Sequence, residues 1–397
     1  MVIEPRTRGF ICLTAHPTGC EKNVLNQIEY IQSKGKVANG PKKVLVIGAS
    51  TGFGLASRIT SAYGSDAATI GVFFEKAPAP GKTASPGWYN TAAFETQAHK
   101  DGLYAKSING DAFSDEIKQQ TIDLIKKDLG QVDVVIYSLA SPVRQHPVTG
   151  VKHKSTLKPI GDKFTNKTVD FHSGEVKEVS IDPASEEDIQ NTITVMGGED
   201  WGMWIDALKK NDLLSDQFKT VAYSYIGPAV TEAVYRKGTI GAAKNDLEAT
   251  AFSITDSLKD VNGKAYVSVN KALVTQASSA IPVIPLYISL LYKIMKAEGI
   301  HEGCIEQIQR LYADRLFADT VPVDEKDRIR IDDWEMRDDV QAKVAELWKE
   351  ATTDTLPQIG DLKGYDTDFF NLFGFKVDDI DYTKDVNEVV AIPGLQE

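Results

Sequence analysis

An α/β fold built on a doubly wound parallel sheet is predicted by three observations in the sequence. Strand-like apolar runs alternate with helical patterns from Lys43 onward. A glycine-rich turn joins the first run to its helix, and Val132-Asp-Val-Val-Ile-Tyr-Ser138 reads as a central strand buried on both faces.

The elements follow in order. Residues 1–40 precede the first strong strand and read as a covering element: an extended Phe10-Ile-Cys-Leu13, a turn at His16-Pro-Thr-Gly-Cys20, and a helical pattern over 24–31. Val44-Leu-Val-Ile47 is the first core strand, followed by the glycine turn, a helix over 55–63 and a second strand over 68–74. A further strand and helix are predicted at 103–108 and 115–129, and later strands at 220–225 and 264–269. Residues 142–195 are polar and without sustained period; they belong to an insertion spanning about 142–215, read as ordered and near the site, with a mobile loop as the alternative. Helical patterns at 302–317 and 337–351 alternate with acidic turns up to a short tail. The expected organisation is a single elaborated domain over 1–397: the covering element 1–40, a dinucleotide-binding core 41–300, and a C-terminal helical extension 301–397.

With 397 residues, 42% hydrophobic and 25% charged, the chain has a sizeable core and should fold throughout. A net charge of -12 argues against a nucleic-acid or anionic-membrane surface. Cys12, Cys20 and Cys304 lack metal or redox pairing and fit reduced thiols in a cytoplasm; no metal site is expected. The first residues contain no apolar signal segment. The greasy run over 281–295 is too short to span a bilayer and contains Pro282, Pro285 and Lys293, so it reads as buried or substrate-facing.

The chemistry is concentrated in four places. Gly48-Ala-Ser-Thr-Gly52-Phe-Gly54, between an apolar strand and an amphipathic helix, has the context of a Rossmann-type dinucleotide turn. Gly48 permits the turn, Gly52 and Gly54 allow close approach to a pyrophosphate, and free N–H groups at the helix start face the anion. Glu75 lies 21 residues after Gly54, at the end of the second strand, where a carboxylate accepts hydrogen bonds from ribose hydroxyls and repels a 2′-phosphate. NADH is therefore expected over NADPH. Asp111 and Ala112 follow the third strand, where the adenine rests in such folds, and Ser138-Leu139-Ala140 follow the fourth, at the nicotinamide ribose. Tyr235 and Lys244 form an acid–cation pair, the ammonium lowering the phenol's pKa and holding the ribose. On one continuous helix their nine-residue spacing would rotate them about 900° and set them on opposite faces. Gly238 and Gly241 are the expected break.

Taken together, Tyr-x8-Lys, the glycine turn, Asn109-Gly-Asp-Ala-Phe-Ser114, Tyr137-Ser-Leu-Ala-Ser-Pro142, Met196-Gly-Gly-Glu-Asp-Trp201 and Val267-Ser-Val-Asn-Lys-Ala-Leu-Val-Thr275 resemble the FabV-type enoyl-acyl-carrier-protein reductases and the similar trans-2-enoyl-CoA reductases. The likeness runs over nearly the whole chain. It implies a monomeric relative of the short-chain dehydrogenases that uses NADH to reduce enoyl thioesters, on acyl carrier protein or coenzyme A, in fatty acid synthesis. It makes Tyr235 the proton donor, Lys244 the cofactor-contacting lysine and Glu75 the NADH-selecting residue. It likewise places Ser50, Thr51, Phe53, Phe74, Asp111, Ala112, Leu139, Ala140, Leu273, Val274 and Thr275 on cofactor contacts and Tyr225 on the acyl-thioester contact. Asn245 departs from relatives that carry a second lysine there, so no role for a second charge carries over.

Two other functions fit parts of the sequence. A carbonyl-reducing dehydrogenase would place its tyrosine and lysine one helical turn apart, against the spacing found. A non-catalytic dinucleotide-binding protein would keep the turn and Glu75 but have no use for Tyr235. The cluster Lys152, Lys154 and Lys158 is either a dock for an acidic carrier or a solvated loop.

Overall fold

The computed structural model describes residues 1–9, 11–279 and 281–396. Eight parallel strands form one sheet: β1 (Lys43–Ile47), β2 (Ala68–Phe73), β3 (Ala105–Asn109), β4 (Val132–Tyr137), β5 (Leu214–Ser224), β6 (Lys264–Val269), β7 (Arg328–Arg330) and β8 (Leu395–Gln396), in spatial order β7-β6-β5-β4-β1-β2-β3-β8. The winding reverses direction between β1 and β4. Crevices outside strand carboxyl ends at such a reversal are where open α/β sheets bind ligands.

Period-two alternation explains the two covered faces. Val44 and Val46 of β1, with Val134 and Ile136 of β4, meet the helices Gly52–Ser65, Pro86–Lys100 and Cys304–Leu311. Leu45, Ile47, Val135 and Tyr137 meet the helices Asp115–Asp128, Glu199–Lys210 and Thr239–Ser257. A third apolar cluster joins helix Ile284–Ala297 to Asp338–Glu350 and Leu362–Asn371, and takes in Tyr235 and Leu273.

Several expectations are corrected. The turn expected at 16–20 is already helix, because Pro17 is tolerated at the first helical position and the His16 side chain caps the N–H of Gly19 at 3.1 Å. Helix Pro86–Lys100, which has almost no amphipathic period because ten of its fifteen residues are buried, went unpredicted. The insertion, by contrast, is ordered as expected: it holds the hairpins 143–145/152–154 and Phe164–Val169/Val176–Ile181 and the capped helix Glu186–Met196. The C-terminal extension is not purely helical, since it supplies both edge strands, β7 and β8. Of the extended stretch at 10–13, Phe10 lies outside the described residues, while Ile11 and Cys12 pair with Thr7 and Arg8.

The buried ion pair of Arg58 and Glu95 links three layers of this structure. Arg58, from helix Gly52–Ser65, donates to Glu95 (2.9 Å), to Ser107 Oγ of β3 (2.8 Å) and to the Lys106 carbonyl (2.7 Å), while the second oxygen of Glu95 accepts the Gly394 N–H at 2.7 Å and so anchors the tail that forms β8. Removing one partner of such a pair strands a desolvated charge. Glu95→Ala should therefore lower unfolding free energy by about 3–5 kcal/mol, measured by urea denaturation.

Candidate active site

The glycine turn forms because two contacts leave no space for side chains. Gly48 has φ +85°, and a Cβ there would lie 2.2 Å from the Ser138 carbonyl oxygen at the end of β4. A Cβ on Gly54 would lie 1.9 Å from the Gly48 carbonyl oxygen. Gly54 thus serves strand–helix packing rather than ligand approach, whereas Gly52 (φ +53°) begins the helix facing open space. Thr51 takes the N-cap position without a side-chain cap, so the first N–H groups of the helix remain available to an anion.

Glu75 is fixed beside this turn. Its two carboxylate oxygens accept from Ser50 Oγ (2.6 Å) and from Ser85 Oγ, and Asn109 clamps its backbone from β3 (2.8 and 3.0 Å). Burial pushes its carboxyl above the usual range, an effect the two serine hydroxyls oppose. The neighbouring Phe74 is 78% exposed, an apolar ring with no partner in the core. On the next strand, Asp111 accepts the Phe113 N–H at 3.0 Å, and the Ala112 carbonyl is held by Lys118 Nζ and Trp204 Nε1, each at 3.1 Å. Ser50, Phe74, Glu75, Asp111 and Ala112 thus lie along the carboxyl ends of β1, β2 and β3, outside the lining of the cavity described next.

A cavity of about 710 Å³ opens beyond the carboxyl ends of β1, β4, β5 and β6. Its wall includes Thr51, Gly52, Phe53, Leu139 and Ala140, the Leu273-Val-Thr275 segment, and Tyr225, Tyr235 and Lys244. The helix carrying Lys244 starts at Thr239 with Gly238 as its extended N-cap, which places Tyr235 in the preceding turn and resolves the nine-residue spacing. Gly241 is no break. It lies inside the helix, where a Cβ would meet the Arg236 carbonyl oxygen at 2.0 Å, so it lets the Tyr235 turn fold against the helix.

The rings of Tyr235 and Tyr225 meet edge to face, centroids 4.8 Å apart. Lys244 Nζ donates to the Tyr223 carbonyl at 3.1 Å, and burial lowers its pKa to about 8. The expected lowering of the Tyr235 pKa is not found. Burial pushes the phenol up, and the charge of Glu335 pushes it further. Asn245 is exposed on the helix beside Lys244.

Glu335 itself went unpredicted, being embedded in the acidic stretch Asp332-Asp-Trp-Glu335, which reads as solvated. It is fully buried; one oxygen accepts from Tyr287 (2.6 Å) and Tyr225 (3.1 Å), the other from the Ala272 N–H (2.7 Å). Ser224, Asn270 and Lys271 also line the cavity and were missed as site residues, although their place just at or after the ends of β5 and β6 is the signal that marks them. The run at 281–295 is buried, as one of its two readings expected, and Ile284 and Ile288 of its helix line the cavity. Lys158 is paired with Asp188 at 2.8 Å, which reduces the basic cluster to Lys152 and Lys154.

Comparison with known proteins identifies the family. Residues 2–80 match the NAD(P)H-binding domain of trans-2-enoyl-CoA reductase, 82–317 its catalytic region, and 323–386 a family described as the enoyl reductase FAD-binding domain. The last does not fit a flavin. Its residues carry no strand–glycine turn–helix unit like that of 43–65, and its apolar side chains Val340, Val344 and Phe369 are consumed in packing around helix Ile284–Ala297. An enoyl-[acyl-carrier-protein] reductase [NADH] of Flavobacterium johnsoniae is 77% identical and a trans-2-enoyl-CoA reductase [NADH] of Ruminiclostridium cellulolyticum 61% identical, each over all of both chains. The crystal structure of Treponema denticola trans-2-enoyl-CoA reductase with NAD superposes with a TM-score of 0.95 at 53% identity, covering 97% of this chain and 98% of that one. With the glycine turn, the Tyr-x8-Lys pair and these full-length likenesses in agreement, the chain belongs to the family of NADH-dependent trans-2-enoyl-CoA and enoyl-acyl-carrier-protein reductases.

Proposed function

We propose that this protein reduces the C2–C3 double bond of trans-2-enoyl thioesters with NADH, in fatty acid synthesis, and that Tyr235 is its proton donor. The observation that carries the reading is the contact of Tyr235 with Tyr225 in a cavity whose wall also holds Lys244 and the ends of β4, β5 and β6. The residues present fit the cofactor: the helix start at 51–54 suits its pyrophosphate, Glu75 its adenosine ribose, Lys244 its second ribose, and 139–140 with 273–275 its nicotinamide end. NADH, when bound, supplies the hydride that C3 accepts. Charge then collects on the thioester oxygen as an enolate. Tyr235 stabilises or protonates that oxygen, Tyr225 contacts the thioester by turning its single O–H from Glu335 to the carbonyl, and a proton reaching C2 completes the reduction.

A buried phenol with a raised pKa stays protonated across the physiological range, which suits a donor better than a base. Lys244 serves the cofactor more directly than the phenol. The unpaired Cys12, Cys20 and Cys304, together with the family likeness, support a cytoplasmic monomer, and no helix among the described residues is long and apolar enough to cross a membrane.

Oxidation of NADH followed at 340 nm with crotonyl-CoA, beside a panel of ketones, tests the reaction class: turnover confined to ketones overturns it. Tyr235→Phe should retain NADH binding and lose about 10²–10³-fold in kcat, as expected for removing one donor aimed at developing charge; near-normal turnover excludes Tyr235 as the donor. The Lys244 ammonium is the form that holds a ribose, so kcat/KM for NADH should fall as pH rises through about 8, where that ammonium deprotonates. Lys244→Arg, which stays charged, should move this limb upward, and an unshifted limb assigns it to another group. Glu75→Ala should narrow the preference for NADH over NADPH by removing repulsion and ribose contacts together, read as the ratio of kcat/KM values; an unchanged ratio removes Glu75 from the ribose site.

A further inference from the structure

The cavity wall is not uniformly apolar. Along helix Ile284–Ala297 its wall residues are Ile284, Ile288 and Tyr292, about 12 Å from first to last at 1.5 Å per residue, and the chemistry changes along that line. Around Ile284 and Ile288 the wall is apolar. Around Tyr292 it is not: Asp368 shares the wall, the His301 ring centroid lies 4.4 Å from that of Tyr292, and Lys271 Nζ sits 5.0 Å over the Tyr292 ring. One turn beyond Asp368, the carbonyl of Asn371 accepts from Asn23, so helix Pro17–Lys34 closes this end with Asn23, Asn26 and Gln27.

Two polar side chains of the cavity wall each keep a buried nitrogen without a hydrogen-bond partner among the described residues. Asn270 is 2% exposed; its Oδ1 accepts from Ser268 Oγ, but its Nδ2 meets nothing. His301 Nδ1 is buried and likewise unpartnered, and burial together with Lys271 and Lys296 lowers the His301 pKa to about 3, so the ring is neutral. Leaving such groups unpaired is costly unless a ligand satisfies them.

We propose that the polar end is the subsite for the amide-bearing pantetheine arm of the thioester substrate, a portion common to coenzyme A and acyl carrier protein. The assignment rests on the enoyl-thioester reading above and adds to it a place and a set of residues. The cofactor's phosphates already have the helix start at 51–54. A second phosphate is disfavoured here because Asp368 and Glu306 share the wall. An apolar tail would leave Asn270 and His301 unsatisfied. A neutral chain of amides offers carbonyl oxygens to the Asn270 Nδ2 donor and both donors and acceptors to a neutral imidazole and to the side-chain amides of Asn23, Asn26 and Gln27. Recognition of the shared arm also accounts for a family whose members are named for either carrier.

The test compares crotonyl-CoA, crotonyl-pantetheine and crotonyl-acyl carrier protein with S-ethyl thiocrotonate, which has no amide. His301→Phe, Asn270→Ala and the exposed-position variant Asn26→Ala are assayed against the parent, with NADH titration by fluorescence to confirm that each has folded. The expected result is a fall of about fivefold to tenfold in kcat/KM for all three pantetheine substrates relative to S-ethyl thiocrotonate, the worth of one or two hydrogen bonds. An equal loss on S-ethyl thiocrotonate, or no loss on any substrate in variants that bind NADH normally, overturns the proposal. So does a loss confined to crotonyl-CoA, which would place the nucleotide end there, or to the carrier protein, which would indicate a protein surface. A parent that oxidises NADH with none of the four thioesters refutes the enoyl-reductase reading itself, a result distinct from all of these.

Discussion

The architecture depends on the absence of two Cβ atoms. Gly54 presses on the carbonyl of Gly48, and Gly48 presses on the carbonyl of Ser138, so helix Gly52–Ser65, the end of β1 and the end of β4 meet at van der Waals limits. That contact aligns the point where the sheet reverses its winding with a helix start whose N–H groups are free. The residues proposed to face the cofactor, which follow β2, β3 and β4, take their places relative to it. Close approach does the work here, and a methyl group at either glycine would push apart the elements that define the site.

A second constraint comes from the far end of the chain. Glu335 reaches under the cavity and holds Tyr225, Tyr287 and the Ala272 N–H. A carboxylate taken out of water at this cost persists because each oxygen has a donor. Its position explains why the C-terminal third is integral to the site: it orients the tyrosine next to Tyr235 and the segment leading into 273–275. The same charge favours the protonated form of Tyr235, so one buried group serves both geometry and proton inventory.

The electrostatics separate two residues that a motif would pair. Tyr235 and Lys244 share one cavity, yet burial drives the phenol towards holding its proton and the ammonium towards losing one. The lysine's contact is the Tyr223 carbonyl, which fixes it at the cavity wall. In the proposed mechanism this divides the labour, with the cation for the cofactor and the phenol for the substrate.

The sequence by itself determined the elements whose cause is local. The strand–glycine turn–helix at 43–65, Glu75 at the end of β2 and the uninterrupted apolar run of β4 were legible because turn conformation, strand period and burial leave marks over a few neighbouring residues. The Tyr235–Lys244 break was legible in outline, since nine residues cannot share a helical face, although Gly241 turned out to serve packing. Only the tertiary structure decided what depends on distant partners. Helix Pro86–Lys100 is buried nearly all round and so has no amphipathic signature; β7 and β8 are too short to show a period and exist because β6 and β3 offer open edges. Glu335, inside an acidic run, and Asn270 with its unpaired amide acquire their roles only when segments far apart in the chain close one cavity, because a hydrogen-bond deficit is a property of the folded surroundings and leaves no trace in the order of residues.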